Sequence, residues 1–185
     1  FGFTYIIFQY LLQSDFNFHN KNIDINSKLI HIGGWKKLEK NKISKDKFNS
    51  ICKNILKLDS VIDIYGFTEL MGINFPDCEC GWKPIPNNVR VIVRDEKDRK
   101  VLNKGEKGLL QFVTHFPTSY AGVSVLTDDV GVINKSKCKC GSTDSFKILG
   151  RRKKAENRGC GDILSTKYDN SSIENRQEPI IYDFY

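Results

Sequence analysis

Four of the six cysteines form two copies of one short pattern that is suited to metal binding. Residues 78–81 read Cys-Glu-Cys-Gly and residues 138–141 read Cys-Lys-Cys-Gly, and we call these segments the first and the second hook. Glycine permits the tight turn that each hook needs, and two hooks supply the four thiolates of a closed, structural zinc site. The predicted ligands are Cys78, Cys80, Cys138 and Cys140. Free or buried thiols are the alternative. A disulfide pair is disfavoured because the chain shows no secretion signal.

Oxygen donors follow an apolar run in the middle of the chain. Val61 to Ile64 has the β-branched character of a buried strand, and Tyr65-Gly66 ends it. A carboxylate at Glu69 is a ligand that Mg²⁺ accepts, and a hydroxyl at Thr68 can bond a phosphate oxygen. An ordinary polar turn is the simpler interpretation of these residues by themselves.

Two more segments carry groups that nucleotide sites use. Thr127-Asp128-Asp129 follows a predicted strand, and a carboxylate such as Asp129 can accept both hydroxyls of a ribose. Arg151 opens a basic run of residues 151–154 that suits phosphate or ribose. A plain turn and a solvated basic face are the respective alternatives.

A strand, a helix and a second strand must position these groups. Lys28–Ile32 is a predicted strand that runs into Gly33-Gly34-Trp35, where either a flat ligand or a tight turn would suit the glycines. Ser44 is able to cap a helix over residues 45–58, which leads into the strand at 61–64. Such a βαβ crossover implies parallel strands whose following loops share one edge of the sheet.

The spacing of apolar residues supports these elements. The predicted helix places on one face Phe48, Ile51, Ile55 and Leu58. Cys52 lies beside that face and is predicted to be part of the core. Residues 1–13 predict a short loop that leads into another helix.

Beyond Pro76 the chain changes to short strands separated by turns, which predicts a small antiparallel sheet or barrel. The predicted strands are residues 89–93, 108–113, 123–126, 130–133 and 146–149. The predicted division of this α/β chain is an α/β nucleotide-binding portion at 1–75, a β-rich subdomain with the metal site at 76–149, and a reduced carboxyl-terminal segment at 150–185.

Composition excludes some classes of protein. The net charge is +7, but the lysines are spread along the chain, so we expect no nucleic-acid partner. The apolar run of residues 1–12 is too short to span a bilayer, and a cytoplasmic location is predicted. The three histidines are scattered and form no Ser-His-Asp order or HExxH motif, which argues against a histidine-centred hydrolase.

Taken in order, several segments resemble the adenylate-forming superfamily, which activates carboxylates with ATP. Residues 65–69 match its Y-G-x-T-E segment, residues 127–129 its T-G-D segment with Asp128 in place of glycine, and Gly150-Arg151 its hinge G-R. The phrases GGWKK, IDIYGFTE, CECG, CKCG, SVLTDDVG and ILGRRKKAENRGCGDI resemble the acyl-protein synthetase (LuxE-like) branch, which is akin to phenylacetate–coenzyme A ligases. The resemblance covers residues 1 to about 162 and implies part of the amino-terminal domain of an adenylate-forming enzyme.

The resemblance implies a reaction and a role for each site residue. A carboxylic acid such as a fatty acid, and ATP with Mg²⁺, would give an acyl-adenylate and pyrophosphate, and the acyl group would then pass to a thiol. The resemblance places Gly33, Gly34 and Trp35 at the adenine and acyl pocket, Tyr65 and Gly66 against adenine, Thr68 at the α-phosphate, Glu69 on Mg²⁺, Asp129 on the ribose and Arg151 in support of it.

The acyl acceptor in that branch is a cysteine near the carboxyl end, and a reductase partner then converts the acyl group to an aldehyde. Cys160 is the candidate, in a basic setting at residues 151–158 that would favour its thiolate. Coenzyme A, a separate acyl-acceptor protein and an ordinary loop cysteine at 160 are the alternatives.

Two departures from the family pattern limit these expectations. The Ser/Thr/Gly-rich phosphate loop has no match, so we expect the chain to be the carboxyl-terminal half of a longer enzyme and to be inactive or weakly nucleotide-binding alone. Lys153 stands where an acidic hinge residue is usual, and residues 156–158 replace the segment with the late catalytic lysine. Two other classes stay open: a non-catalytic, zinc-stabilised binding or scaffolding module, and a basic nucleic-acid module with a zinc knuckle.

Overall fold

A computed structural model describes residues 1–12, 26–35, 41–116, 118 and 123–152. These residues form two β-sheets, one mostly parallel and flanked by helices, and one antiparallel. This arrangement confirms the predicted α/β class with a βαβ unit and a small antiparallel sheet. No helix in these ranges is both long enough and apolar enough to cross a lipid bilayer.

The first sheet has the strand order β1-β2-β3-β4. Its elements are β1 Gly2–Phe3, α1 Thr4–Leu12, β2 Lys28–Ile32, α2 Lys45–Leu56, β3 Ser60–Tyr65 and β4 Phe75–Pro76. Strands β1, β2 and β3 are parallel and β4 is antiparallel to β3. The parallel pairing of β2 with β3 brings Ile32 opposite Ile64, so the loops that follow both strands leave the sheet at the same edge.

Helix α2 begins as predicted, but its buried face and its end differ from the prediction. The Ser44 side chain caps it by accepting a hydrogen bond from the Lys47 amide at 3.3 Å. The helix ends at Leu56 because Lys57 adopts a left-handed conformation with φ of 56°. The buried residues are Phe48, Cys52 and Leu56, four residues apart, rather than the predicted stripe that included Ile51 and Ile55. Cys52, predicted as core, is fully buried.

A small core joins the two helices to this sheet. It consists of Ile7, Phe8, Trp35, Phe48 and Cys52. The Trp35 ring packs edge-on against Phe8 at 4.6 Å and against Phe48 at 5.9 Å between ring centroids. The turn after β2 is thereby fixed to both helices.

The second sheet has the order β5-β9-β8-β7-β6, and all its neighbouring pairs are antiparallel. Its strands are β5 Lys83–Pro84, β6 Val89–Arg94, β7 Lys107–Thr114, β8 Ser124–Ile133 and β9 Ser145–Arg151. Strand β8 is one continuous strand, so the prediction of two strands at 123–126 and 130–133 was wrong. The polar residues 127–129 stay in the strand because the Thr127 hydroxyl donates to Leu110 O at 2.9 Å and accepts from the Asp129 amide at 3.2 Å.

A larger core, rich in aromatic rings, lies between the two sheets. Its buried members are Leu70, Ile73, Phe75, Val89, Val91, Val93, Leu110, Phe112 and Phe146. Tyr65 and Phe67, which end and follow β3, also pack against it. The chain that leaves the first sheet therefore forms part of the core of the second.

Candidate functional site

The loops predicted to carry the chemistry do meet at one edge of the first sheet. Gly33-Gly34 follows β2 directly after Ile32, and Gly66 follows β3 two residues after Ile64, which pairs with Ile32. A Cβ atom added to Gly66 would lie 2.5 Å from Asn74 Oδ1, so a larger residue in this turn would require the Asn74 side chain to move. A short 3₁₀ helix at Thr68–Leu70 comes next.

That 3₁₀ helix exposes two polar side chains and buries one apolar side chain, which serves as its anchor. Leu70 is fully buried, whereas Thr68 and Glu69 are exposed. The Thr68 hydroxyl donates to Glu69 Oε2 at 3.2 Å. The anchor fixes the turn while the hydroxyl and the carboxylate stay accessible to a ligand.

A hydrogen bond joins this edge to the second sheet. The Tyr65 hydroxyl donates to Asp129 Oδ2 at 2.6 Å. On the neighbouring strand, Arg151 lies opposite Asp129, with its Nε 3.3 Å from Asp129 Oδ1. The structure thus brings together Tyr65, Asp129 and Arg151, which the sequence places far apart.

The Tyr65 ring is held on several sides by the aromatic core. Its centroid lies 5.5 to 6.2 Å from the rings of Phe67, Phe75, Phe112 and Phe146. Burial, and then the neighbouring Asp129 carboxylate, raise the pKa of the Tyr65 hydroxyl, which therefore stays protonated and donates. Each oxygen of Asp129 still has a lone pair for a further donor, since a carboxylate offers about four acceptor positions.

The acidic and basic residues next to this group form a second pair. Asp128 Oδ1 lies 3.0 Å from Arg152 Nη2, and the Arg152 amide donates to Asp128 O at 2.9 Å. Asp128, which stands where the resemblance places glycine, is therefore paired across the sheet.

Trp35 lies in a different environment from its two glycine neighbours. Gly33 and Gly34 are exposed at the loop, but the Trp35 side chain is only 8% exposed and packs on Phe8 and Phe48. At this position the indole is buried in the core, so only the backbone is left to contact a ligand at the sheet edge. The indole packs in the core of the first sheet and thereby fixes the position of the loop.

The two hooks have the same backbone structure. In the first, the Cys78 amide donates to Trp82 O and the Gly81 amide donates to Cys78 O, both at 2.8 Å. In the second, the Cys138 amide donates to Ser142 O and the Gly141 amide to Cys138 O, both at 2.9 Å. Gly81 and Gly141 have φ of 69° and 95°, a conformation that L side chains rarely adopt, which explains the glycine in each hook.

The hooks bring three thiols together. The Sγ atoms of Cys78, Cys138 and Cys140 all lie within 4.8 Å of one another, and Cys78 Sγ is 3.7 Å from Cys138 Sγ. Cys80 is half-buried in the same turn as Cys78, but its sulfur is not in this group. A cluster of thiol donors from two loops fits a soft divalent cation such as zinc. The structure therefore assembles three of the four predicted ligands.

A buried ion-pair network beside the first hook was missed by sequence reasoning. Lys83 Nζ lies 2.9 Å from Asp77 Oδ1 and 3.4 Å from Asp63 Oδ2, and its side chain is 5% exposed. Lys45 Nζ contacts both carboxylates and lies 3.0 Å from Asp63 Oδ2. One sequence signal existed, namely a charged residue in the middle of the apolar strand β3.

His31 lies on β2 directly opposite Asp63 of β3. Burial lowers the pKa of His31 to about 4, an effect that the two neighbouring lysines reinforce and Asp63 opposes. His31 is therefore neutral at pH 7, and its Nδ1 hydrogen-bonds Thr4 Oγ1 at 2.8 Å instead of forming an ion pair with Asp63 at 3.9 Å. Cys160, the predicted acyl acceptor, lies outside the described residues.

Solved structures identify the class of this fold. The chain resembles 2-hydroxyisobutyryl-CoA ligase, with a TM-score of 0.56 and 16% identity over 67% of this chain and 27% of that one. It also resembles MatB from Rhodopseudomonas palustris, with a TM-score of 0.50 and 19% identity over 82% of this chain and 30% of that one. The fold is that of part of an adenylate-forming ligase.

The sequence then gives the family. Residues 1–169 match the model of the family described as "Acyl-protein synthetase, LuxE", and the chain belongs to that family. Over 139 residues it is 27% identical to long-chain-fatty-acid–luciferin-component ligase of Aliivibrio fischeri, covering 72% of this chain, and to that of Vibrio harveyi, covering 74%. It spans about a third of the length of these relatives, 35% and 36% respectively.

Proposed function

We propose that this chain is the part of an ATP-dependent acyl-activating ligase that binds the adenylate, and that it works on a carboxylic acid of the fatty-acid class. Membership of the LuxE family supports the class of reaction. The names of the relatives support a long-chain fatty acid as the substrate class. The observation that carries the proposal is the Tyr65–Asp129 hydrogen bond, because it joins the Y-G-x-T-E segment at 65–69 to the segment at 127–129, at one edge of the first sheet.

Each residue of the site has a proposed task. Asp129, oriented by Tyr65 and Arg151, accepts the ribose hydroxyls. Thr68 donates to the α-phosphate, and the exposed carboxylate of Glu69 binds Mg²⁺. Gly33, Gly34 and the backbone of Trp35 form the wall of the pocket for adenine and the acyl chain, and Gly66 lets the adenine approach the backbone beside Tyr65.

The proposed chemistry is acyl transfer in two steps. A carboxylate oxygen of the acid attacks the α-phosphorus of ATP, and pyrophosphate leaves. A thiolate then attacks the acyl carbonyl carbon, and AMP leaves. Mg²⁺ would neutralise charge on the phosphates during the first step. The residues of this chain contribute by holding the ribose and the α-phosphate in line for attack.

We propose Cys160 as the thiol that receives the acyl group, with a reductase or another acceptor protein as the later partner. The support is its place in a segment of residues 150–162 that resembles the family, with several arginines and lysines around it. Replacing Cys160 by serine should leave adenylate binding intact and abolish covalent labelling by a radioactive fatty acid supplied as its adenylate. Undiminished labelling would transfer the acceptor role to another thiol.

Binding of a stable adenylate mimic tests the main proposal on the chain as it exists. A fatty acyl sulfamoyl-adenosine needs no phosphate loop, so calorimetry with this compound should detect binding. Asp129→Ala should weaken binding by about 10- to 100-fold, because hydrogen bonds to a charged group contribute about 1.5–3 kcal/mol. Asp144→Ala, at an exposed carboxylate in the loop just before β9, is the matched control and should bind as the wild type does.

If the wild-type chain bound neither this mimic nor AMP and still bound a metal, the enzymatic proposal would fail and a zinc-stabilised scaffolding module would replace it. If Asp129→Ala bound the mimic as tightly as wild type, the assignment of the ribose site would fail. Glu69→Gln should leave binding of the mimic unchanged, because the mimic lacks the β- and γ-phosphates that bind Mg²⁺, and should weaken the Mg²⁺-dependent binding of ATP.

We further propose that the hooks hold a structural zinc ion, and that the protein works in the reducing cytoplasm. The three clustered thiols support the metal, and the unpaired thiols among the described cysteines suit that compartment. Cys78, Cys138 and Cys140 are the proposed ligands, and Cys80 is the candidate for the fourth position. Metal analysis of the purified chain should find about one zinc per chain. Comparing Cys80→Ser with Cys140→Ser shows whether Cys80 completes the tetrahedron.

A further inference from the structure

Two charged residues bracket the first hook, and both are buried. Asp77 directly precedes Cys78, and Lys83 begins β5 two residues after Gly81. Their side chains are 7% and 5% exposed, and they pair with each other at 2.9 Å. Charged side chains are rarely this buried unless they are paired, so this pair fixes the two ends of the hook.

Both ends are also tied to the middle of β3. The Asp77 amide and Lys83 Nζ each donate to Asp63 O at 3.0 Å. Lys83 Nζ donates in addition to Phe75 O at 3.3 Å. Lys45, in the first turn of α2, pairs with the carboxylates of Asp63 and Asp77. We call Lys45, Asp63, Asp77 and Lys83 the clamp; its two cations balance its two anions.

The second hook has no comparable anchor among the described residues of its loop. The ion pair nearest to it along the chain joins Lys104 and Asp144, whose side chains are 55% and 50% exposed. Exposed pairs of this kind contribute little to stability, whereas breaking a buried pair is strongly destabilising. The two hooks share one backbone structure but differ in how firmly the fold holds them.

We propose that Asp77 and Lys83 are positioning residues for the metal, which hold Cys78 where the thiols of the second hook can reach it. This inference rests on the proposed zinc site and not on the proposed reaction. The first hook is the more firmly anchored half of the site, and the thiols of the second hook already lie within 4.8 Å of Cys78. Zinc affinity is therefore set partly by a salt bridge that touches no ligand atom.

Zinc affinity, measured by competition with a chromophoric chelator, tests this inference. Removing one member, as in Lys83→Met, leaves Asp77 buried with one cation fewer, so it should lower both stability and zinc affinity. The informative variant is the double change Asp77→Asn with Lys83→Met. It keeps the clamp neutral, and the Lys45–Asp63 pair remains. We expect this variant to regain stability, because replacing a buried pair is often neutral, but to bind zinc about tenfold more weakly than wild type.

Lys104→Met, beside the second hook, is the matched control and should keep wild-type zinc affinity. Wild-type affinity in the double variant would overturn the inference, and so would an equal loss in Lys104→Met, since any nearby charge would then have the same effect. A wild-type chain that bound no zinc would overturn the metal site and this inference together, while adenylate binding would still decide the proposed function separately.

Discussion

The two sheets contribute to the candidate site in different ways. The first sheet is mostly parallel and presents Gly33-Gly34 and Thr68-Glu69 from loops at the ends of the parallel strands β2 and β3. The second sheet is antiparallel and presents Asp129 and Arg151 from within paired strands. A parallel sheet collects loops at one edge by its topology alone. In the antiparallel sheet, the position of Asp129 depends on the contacts of Thr127 that keep the polar residues 127–129 in strand β8.

The sheets also differ in what stabilises them. The core of the second is aromatic and fully buried around Phe112 and Phe146, whereas the first combines a small apolar core with the clamp and a neutral His31. Apolar burial responds little to pH, but charged groups respond strongly. The two regions should therefore respond differently to mutation and to acid.

The largest effect is expected from Phe112→Ala, which breaks the aromatic core. Phe112 is fully buried and its ring packs on Tyr65, Phe67, Phe75 and Phe146. Loss of the ring should lower the free energy of unfolding by about 3–5 kcal/mol, as measured by urea denaturation. Val101→Ala, at a 63% exposed position, should change it by less than about 0.5 kcal/mol. Similar effects of the two changes would show that this core does not unite the sheets.

Acid should act on the first sheet through His31. Burial lowers its pKa to about 4 from the usual 6.5, so the unfolded chain binds a proton more readily than the folded one. Stability is therefore full above pH 6.5 and is lost as pH falls towards 4, by about 3 kcal/mol in all and about 2 kcal/mol between pH 7 and pH 5.

Urea titrations at several pH values measure this slope. His31→Gln should flatten it, whereas His115→Gln, at an exposed position, should leave it as in wild type. A slope that persisted in His31→Gln would place the acid sensitivity elsewhere.

Tyr65→Phe cuts the hydrogen bond between the sheets while preserving the ring. It should lower the free energy of unfolding by about 2 kcal/mol, because the bond is made to a charged acceptor. The measurement is a double-mutant cycle with Asp129→Asn, in which the effects should not add. Additive effects would mean that the two side chains do not interact in solution.

The smallest expected effect is at the cap of α2. Ser44→Ala removes the acceptor of the Lys47 amide and should cost about 1 kcal/mol. Ser50→Ala, on an exposed position inside the same helix, should be neutral or slightly stabilising because alanine favours helix. Thermal unfolding monitored by circular dichroism distinguishes the two.

Sequence reasoning predicted the two longer strands of the first sheet, β2 and β3, but missed β1, which it took for a loop, and β4. The reason for the success is local. The β-branched runs, the glycines after β2 and the capping Ser44 each specify a strand, its end or a helix start without help from distant residues. The buried face of α2 was misjudged because Ile51 and Ile55 are more apolar than Cys52, yet the direction of the core is set by contacts with Phe8 and Trp35.

The second sheet was harder to predict, because part of it depends on contacts with distant residues and not on local sequence. Residues 127–129 have low strand propensity, and only contacts across the sheet, including a hydroxyl of Thr127 on Leu110 O, keep them in β8. The contacts of the clamp could not be predicted either. The Lys83–Asp63 ion pair and the hydrogen bond from the Asp77 amide to Asp63 O join segments that only the tertiary structure brings together. The order of the site segments, by contrast, was visible in the chain and pointed to the family that the comparisons confirm.

The two hooks share one backbone structure, so each should keep its shape if the two segments were exchanged. Each closes its own turn with two internal hydrogen bonds and a left-handed glycine, so its shape belongs to the short segment and not to the strand that carries it. The two hooks differ in the ion pairs that hold them to the rest of the fold, which are buried at the first hook and exposed near the second. Glu79 and Lys139 are exposed at the tips and take no part in these turn hydrogen bonds, so replacing either of them should leave the shape of its hook unchanged.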